Sequence, residues 1–390
     1  MTRLRLVVLM STFLVLATFG LVAILVARGY RLEKNMDSIG LAPSGILVVN
    51  SDPNGAQVYI NGNLETATNN TINLKPETYE VQIKKEGYLS WSKTLVIKKE
   101  EVTQVDAFLL PVAPSLTALT FSGAISPQVS EDLTKIAYAV PLNSDNAEKA
   151  GLWVFETVNL PLGFNRDPRQ ITDGDLGEAQ WEWSPSGREI LLTTKAGVFL
   201  LDTSKFTSQN QRVNVASRLN EIGEQWADEQ DKRLEARLNK LPEELRGFFK
   251  AKTAEVRFAP DESKVLYEAS SSGTIPSDVI RPLPGASTQA EEREIVPGKS
   301  YVFDLKEDKN FLVANAGNSI EWLPNSLNLI IPQENKIEVV EYDGTNKQTV
   351  YSGNYLFPNA YPSSSSGRVL ILTNFGSEAT VPNLYWLSLK

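Results

Sequence analysis

Four short stretches hold residue types that perform chemistry when correctly spaced. In Gly298-Lys299-Ser300 a lysine and a hydroxyl could hold phosphate and its metal. The first glycine of such a loop is replaced by Arg293, however, and the residues that follow alternate as a strand, so no helix N-terminus faces the anion. Ser90 and Lys93 have the Ser-x-x-Lys spacing of some acyl enzymes, but an offset of three within a strand puts them on opposite faces. Asp173, Asp175 and Glu178 could offer oxygens to Ca²⁺, although the twelve-residue loop that organises such ligands is missing, and an acidic turn is the expectation. Leu201-Asp202-Thr203 begins like an aspartic-protease segment, but Ser204 stands in place of its glycine and no second copy supplies the other carboxylate.

The chain of 390 residues has no histidine and no cysteine. Thiolate nucleophiles, disulfides, Cys/His zinc sites and histidine-based triads are therefore excluded. The expectation is no catalytic residue, no metal and no cofactor. Net charge is -9 and the isoelectric point is near 5.0, which argues against nucleic acid, whose affinity is built from clustered Lys and Arg.

Leu6 to Ala27 is uncharged, and at about 1.5 Å per residue it would span about 33 Å as a helix, enough to cross a bilayer. Its length and its exit at Leu25-Val26-Ala27-Arg28 favour an uncleaved anchor over a cleaved signal peptide. Arg3 and Arg5 precede it and Arg28, Arg31 and Lys34 follow it, so flanking charge leaves the orientation open. Residues 1 to 34 carry five basic side chains against Glu33, a net of +4, which leaves -13 for the rest. Residues 1–34 are thus read as a transmembrane anchor with its flanks, followed by an acidic soluble body.

Residues 44–111 alternate at the period of half-buried strands: Ala56, Val58 and Ile60 share one face, and Tyr79, Val81 and Ile83 another. Pro53-Asn54-Gly55, Asn61-Gly62 and Glu86-Gly87-Tyr88 supply turns. The expectation is a small antiparallel β-domain in which Tyr79, Tyr88, Trp91 and Phe108 provide much of the apolar burial. The run Gly45 to Gly62, through Pro53-Asn54-Gly55-Ala56, followed by Lys85-Glu86-Gly87-Tyr88, resembles the PEGA domain family. It departs from the family pattern at Asn54, where the family has Glu, and at Glu77, where Gly is typical. The resemblance implies a β-sandwich-like module of prokaryotic envelope and surface proteins, without catalytic residues to carry over, and supports an outside orientation.

From 115 to 390 the chain repeats itself. Trp183 to Leu192 aligns without gaps to Phe258 to Tyr267 and to Trp322 to Ile331, with weaker copies at Val129 to Tyr138 and Pro362 to Ile371. Each copy reads as an aromatic strand, a polar turn and an apolar strand, with a third strand following, such as Leu152 to Phe155 or Leu384 to Leu387. Small sheets of this kind bury their faces by radial packing as propeller blades. Five blades are counted and six are possible. The turns resemble those of TolB-type, WD-repeat-like β-propellers, which implies a fold and no particular ligand. Trp181, Trp183, Trp322 and Trp386 are expected in the core between blades. The fold class is therefore all-β, with an N-terminal transmembrane helix, a β-sandwich-like module and a propeller.

Two insertions break the repeat. Residues 217–252 carry eight basic and eight acidic side chains, with Leu219, Ile222, Trp226, Leu234, Leu238, Leu241, Leu245 and Phe248 at helical spacing. Asp228/Lys232 and Glu229/Arg233 are correctly oriented i,i+4 pairs, and Pro242-Glu243-Glu244 marks a second helix start. Either the stripe folds back on the propeller, or Trp226, Leu234, Leu238 and Phe248 form an interaction face. Residues 270–299, rich in Ser, Pro and Gly, read as a long surface loop.

These features point to a single-pass protein of the cytoplasmic membrane with its soluble domains outside the cytoplasm. It would be noncatalytic and bind an envelope protein or a cell-surface polymer through the propeller. The alternatives are a carboxylate-dependent glycoside hydrolase or lyase in the propeller funnel, which would show paired acids there with one pKa raised, or a structural surface-layer spacer.

Overall fold

The structure is a computed structural model that describes residues 3–27, 30–35, 38–142, 147–158, 167–283, 289–315, 319–364, 367–375 and 381–390. Arg28, in the basic flank of the first segment, lies outside them, as does part of the weak repeat copy from Pro362. Helix α1 (Arg3–Ala27) contains the apolar span Val7–Leu25, none of it buried within the protein, so it is long and apolar enough to cross a membrane. The chain divides into two compact units, residues 1–109 with 281–290, and residues 110–280 with 291–390.

In the first unit, Gly45–Asp52 lies between Asn70–Leu74 and Val102–Phe108, and a second sheet has the order Asn63–Ala67, Gln57–Ile60, Thr78–Lys84, Trp91–Val96. Their apolar faces enclose Leu47, Val49, Val58, Val81, Ile83, Trp91 and Val105. Trp91 and Tyr79 belong to this core and Tyr88 packs on it, whereas Phe108 is buried outside that cluster. The domain is not wholly antiparallel: Gly45–Asp52 and Val102–Phe108 run parallel, Ile46 opposite Val102, because the chain passes through the other sheet before returning. Gly55 and Gly62 take the positive φ their turns demand, 71° and 82°. Neither Asn54 nor Glu77 does, so both departures from the PEGA pattern stand where any residue fits.

In the second unit all five repeat copies close the same turn. The N–H donors of Ser130, Ser184, Ala259, Leu323 and Ser363 bond the carbonyls of Lys135, Glu189, Lys264, Asn328 and Arg368. One turn position is left-handed in Leu133, Gly187, Glu262 and Ser326, and of these four only Gly187 is the residue best suited to it. Each turn joins the first two strands of a blade. Blade I comprises Ile125–Val129, Lys135–Val140, Gly151–Glu156 and Arg169–Asp173, and blade II comprises Gln180–Trp183, Glu189–Thr194 and Gly197–Asp202. Blade III comprises Thr253–Phe258, Lys264–Ala269, Ser300–Asp304 and Lys309–Ala314, and blade IV comprises Glu321–Trp322, Asn328–Gln333, Lys336–Glu341 and Gln348–Ser352. Blade V takes Ala360–Pro362, Arg368–Thr373 and Asn383–Ser388 from the C-terminal end, and its outer strand Leu116–Ala118 from the start of the unit. The two ends of the ring are thereby latched, and the Thr120 hydroxyl adds a bond to Asn383 Oδ1. The fourth strand of blade II is reduced to one bridge, Phe199 to Asn214.

Blades I and II share Ala137, Leu152, Trp181, Ile190 and Leu192, blades III and IV share Leu266, Val302, Trp322 and Leu329, and blades I and V share Ile136, Tyr138, Leu370 and Trp386. Trp181, Trp322 and Trp386 are core residues in these seams, and Trp183 packs at their edge. Between blades II and III stands the helical insertion, a hairpin of α2 (Leu219–Leu238) and α3 (Glu243–Lys252). Ile222 and Trp226 cover Leu191, Val198 and Leu200 of blade II, while Leu238, Leu241, Leu245, Phe248 and Phe249 cover Val265, Tyr267, Tyr301 and Phe303 of blade III. The hairpin also reaches the blade turns on both sides. Arg233 donates to the Pro185 carbonyl, and Arg237 and Lys240 pair with Glu262. The hairpin thus covers the facing sheets of blades II and III with helices where the other neighbouring blades share a strand-on-strand seam.

Residues 270–299 are more ordered than a surface loop, because Gly273–Thr274 pairs with Glu294–Ile295. Ile275 and Ile295 are buried, with Val279 and Ile280 against them. Only 284–288 lie outside the described residues.

Candidate functional site

The first strands of the blades approach one another around the propeller axis. Trp183 Nε1 donates to Gln128 O, Trp322 Nε1 to Arg257 O, and the Tyr361 hydroxyl to Pro127 O. In each repeat copy the residue just before the aromatic position belongs to this inner strand: Gln128, Glu182, Arg257, Glu321 and Tyr361. Alternation gives Gln128, Glu182, Arg257 and Glu321 the face opposite to the core residues, whereas Tyr361 packs against the core shared by blades I and V.

The Arg257 guanidinium organises the acidic side of this ring. One nitrogen donates to Glu321 Oε1 at 2.6 Å and to the Ile320 carbonyl at 2.9 Å, and the other to Glu255 Oε2 at 2.9 Å. Beside it opens a cavity of about 260 Å³ walled by Glu255, Arg257, Tyr267, Glu268 and Ser300. Burial raises the Glu321 pKa above the usual carboxylate value and nearby Glu255 raises it further, against the lowering effect of Arg257. Burial, with Glu321 adding to it, pushes the Tyr361 hydroxyl up to about 12.

Two glutamates at the axis, one with a raised pKa, are the arrangement a carboxylate hydrolase would need. The bridging guanidinium changes its meaning. A glycosidase keeps its acid and its nucleophile or base about 5 to 9.5 Å apart with open space between them for the sugar bond and water. Here Arg257 stands between the two carboxylates and bonds both. The group is an ion-pair network in which one guanidinium holds both carboxylates.

The raised pKa has a consequence for stability. A carboxyl that holds its proton more tightly when folded stabilises the fold below its unfolded pKa, and that contribution fades as pH rises through the folded value. The melting temperature of the native chain relative to Glu321→Gln should therefore fall as pH rises from about 4.5 upward. A difference independent of pH would show that Glu321 titrates normally.

The motif residues are engaged separately. Asp173 Oδ1 accepts the Gln209 N–H, Asp175 Oδ1 accepts the Gly177 N–H, and Glu178 pairs with Lys195. Among the described residues no group of three Asp or Glu side chains is placed to hold a metal. Asp202 caps its own turn through the N–H and hydroxyl of Ser204. Lys299 and Ser300 lead into a strand of blade III, and the Lys93 ammonium lies over the Trp91 ring. Trp226, Leu234, Leu238 and Phe248 face inward, Trp226 onto blade II and the other three onto the blade III core, so they are not presented as a free docking face. The axial ring was not read from the sequence, although the repeat register marks it one residue before each aromatic.

Comparison with known proteins places residues 44–112 in the PEGA domain family. No curated protein matches the chain. Among solved structures it is similar to a putative TolB from Agrobacterium tumefaciens, at 12% identity over 67% of this chain and 78% of that one, with a TM-score of 0.23. It is also similar to the Cps50 (Swd1) β-propeller domain of Myceliophteria thermophila, at 9% identity over 70% and 86%, TM-score 0.25. TolB from Acinetobacter baumannii is 11% identical over 88% and 63%, TM-score 0.20. Likeness this low decides nothing, and the propeller rests on the five sheets and their shared turn.

Proposed function

We propose that the chain is a noncatalytic binding protein of the cell envelope, tethered to the cytoplasmic membrane by α1 with both soluble units outside. The observation that carries this reading is the unburied span Val7–Leu25 on the N-terminal side of a PEGA domain at residues 44–112. The Arg257-bridged carboxylates of the axial ring support binding over hydrolysis, and their surplus of acid favours a partner with basic or hydroxyl groups. A proximity-labelling enzyme fused to the C-terminus should mark envelope proteins in intact cells. Purified full-length chain should release no more reducing ends from cell-wall polysaccharide than a Glu255→Gln/Glu321→Gln variant. Turnover that this double variant abolishes would establish a glycoside hydrolase instead, and labelling confined to cytoplasmic proteins would overturn the reading.

A further inference from the structure

The cavity beside Arg257 is built on one face of blade III. Across three neighbouring strands Glu255 stands opposite Glu268, and Glu268 opposite Ser300. Alternation puts this row on the same face as Arg257, Leu266 and Val302, two residues along each strand. Leu266 and Val302 pack toward blade IV, and Ser319 and Ile320, which lead into blade IV, close the far wall. Arg257 bonds Glu255 and Glu321 but not Glu268. Among the described residues the Glu268 carboxylate has neither a hydrogen bond nor an ion pair. The Ser300 hydroxyl also lacks a hydrogen-bond partner among them, although the residue is 5% exposed and lines the cavity. An unpaired hydroxyl at that depth costs free energy, and so do two carboxylates set directly opposite each other on adjacent strands.

One ligand relieves both costs if it brings positive charge to the carboxylates and several N–H donors to three acceptors in a row. Among the described residues no three acidic side chains are placed to hold a metal, so the row does not match a bare divalent ion. A tetrahedral ammonium does match it, because it offers three donors from one charged centre. We propose that this cavity takes a primary alkylammonium group, its N–H donors shared among Glu255, Glu268 and Ser300 and its methylene stem lying on Leu266. The assignment rests on the axial ring binding its ligand without hydrolysing it, and names the chemistry the ring selects. A volume of about 260 Å³ admits the ammonium together with its stem. A lysine side chain of a partner protein and a free diamine both present this group.

Full-length chain in non-ionic detergent can be titrated calorimetrically with cadaverine, with tetramethylammonium, and with an N-acetylated peptide carrying one lysine, free or acetylated on its side chain. Cadaverine should bind saturably at one site, and tetramethylammonium, which has the charge without an N–H, should not. Glu268→Gln and Ser300→Ala should each weaken cadaverine by about tenfold or more, the loss expected for a hydrogen bond to a charged group. Both variants should melt, without ligand, no lower than the native chain, since each removes an unpaired polar group. A lysine peptide that binds tighter than cadaverine and fails when acetylated assigns the ammonium to a partner protein, whereas tighter cadaverine assigns a free amine. Equal binding of tetramethylammonium, no saturable binding of either amine, variants that bind like native chain, or variants that melt well below it would each overturn the proposal. Failure of the noncatalytic reading would show separately, as release of reducing ends from polysaccharide by the same preparation.

Discussion

Phe249→Ala is expected to destabilise the propeller by about 3 to 5 kcal/mol, the range for truncating a buried aromatic. Its ring is 1% exposed and packs edge-on to Phe248, Tyr267 and Phe303, with centroids 5.7, 5.3 and 6.3 Å away. Such pairs add to simple burial because the edge of one ring meets the face of the next. The effect follows from the hairpin's place in the ring, where one side seals blade II and the other seals blade III. Replacing residues 217–252 with a short Gly-Ser bridge should therefore do more than remove an appendage. It would uncover Leu191, Val265 and Tyr267 together, an apolar surface that drives aggregation. Denaturant midpoints at constant slope measure the first effect, and soluble yield the second. A deletion variant as soluble and stable as the native chain would show that blades II and III close without the hairpin.

Lys264→Met is the second change expected to be severe, again by about 3 to 5 kcal/mol, because it breaks a buried ion pair from one side. Lys264 is 4% exposed, its ammonium 3.4 Å from Asp304 and 4.6 Å from the centre of the Tyr342 ring. Asp304 is 2% exposed and also accepts the N–H groups of Lys306 and Glu307, which fix the turn between the last two strands of blade III. Removing the lysine leaves a carboxylate with too few compensating charges in an apolar setting. The double variant Lys264→Met/Asp304→Asn should recover much of the loss, since neutralising both partners abolishes the uncompensated charge. If the double variant were no better than the single one, packing of the lysine stem and not the charge would be responsible.

Much of this architecture was legible in the residues. Each blade's aromatic strand, turn and apolar strand share one pattern because all five turns make the same hydrogen bond, and that bond constrains residue type at several positions at once. The role of 217–252 was only half legible. Helical spacing shows that Leu238, Leu245 and Phe248 need cover, but nothing in a periodicity names the surface that gives it. The closing strand Leu116–Ala118 escaped notice because three residues are too few to display alternation, and its partner lies at the far end of the chain. The parallel pairing of the first domain was hidden for a related reason, since period two is common to both directions. In 270–299 four isoleucine and valine side chains outweigh a polar, turn-rich composition, because burial is decided by the few residues that find the core. The axial cluster was legible only through register: Arg257 precedes Phe258 as Glu321 precedes Trp322, and the bridge between them needs blades III and IV side by side.

The claim on which the functional reading depends is that α1 crosses the membrane and the body lies outside it. Single cysteines at Glu65 and Asn346, in the first and second soluble units, can be treated in intact, wall-stripped cells with a membrane-impermeant maleimide. Both should label as fully before lysis as after it, while a cysteine at Thr2 should label only after lysis. Labelling of Thr2→Cys alone in intact cells would invert the topology and remove the envelope function with it.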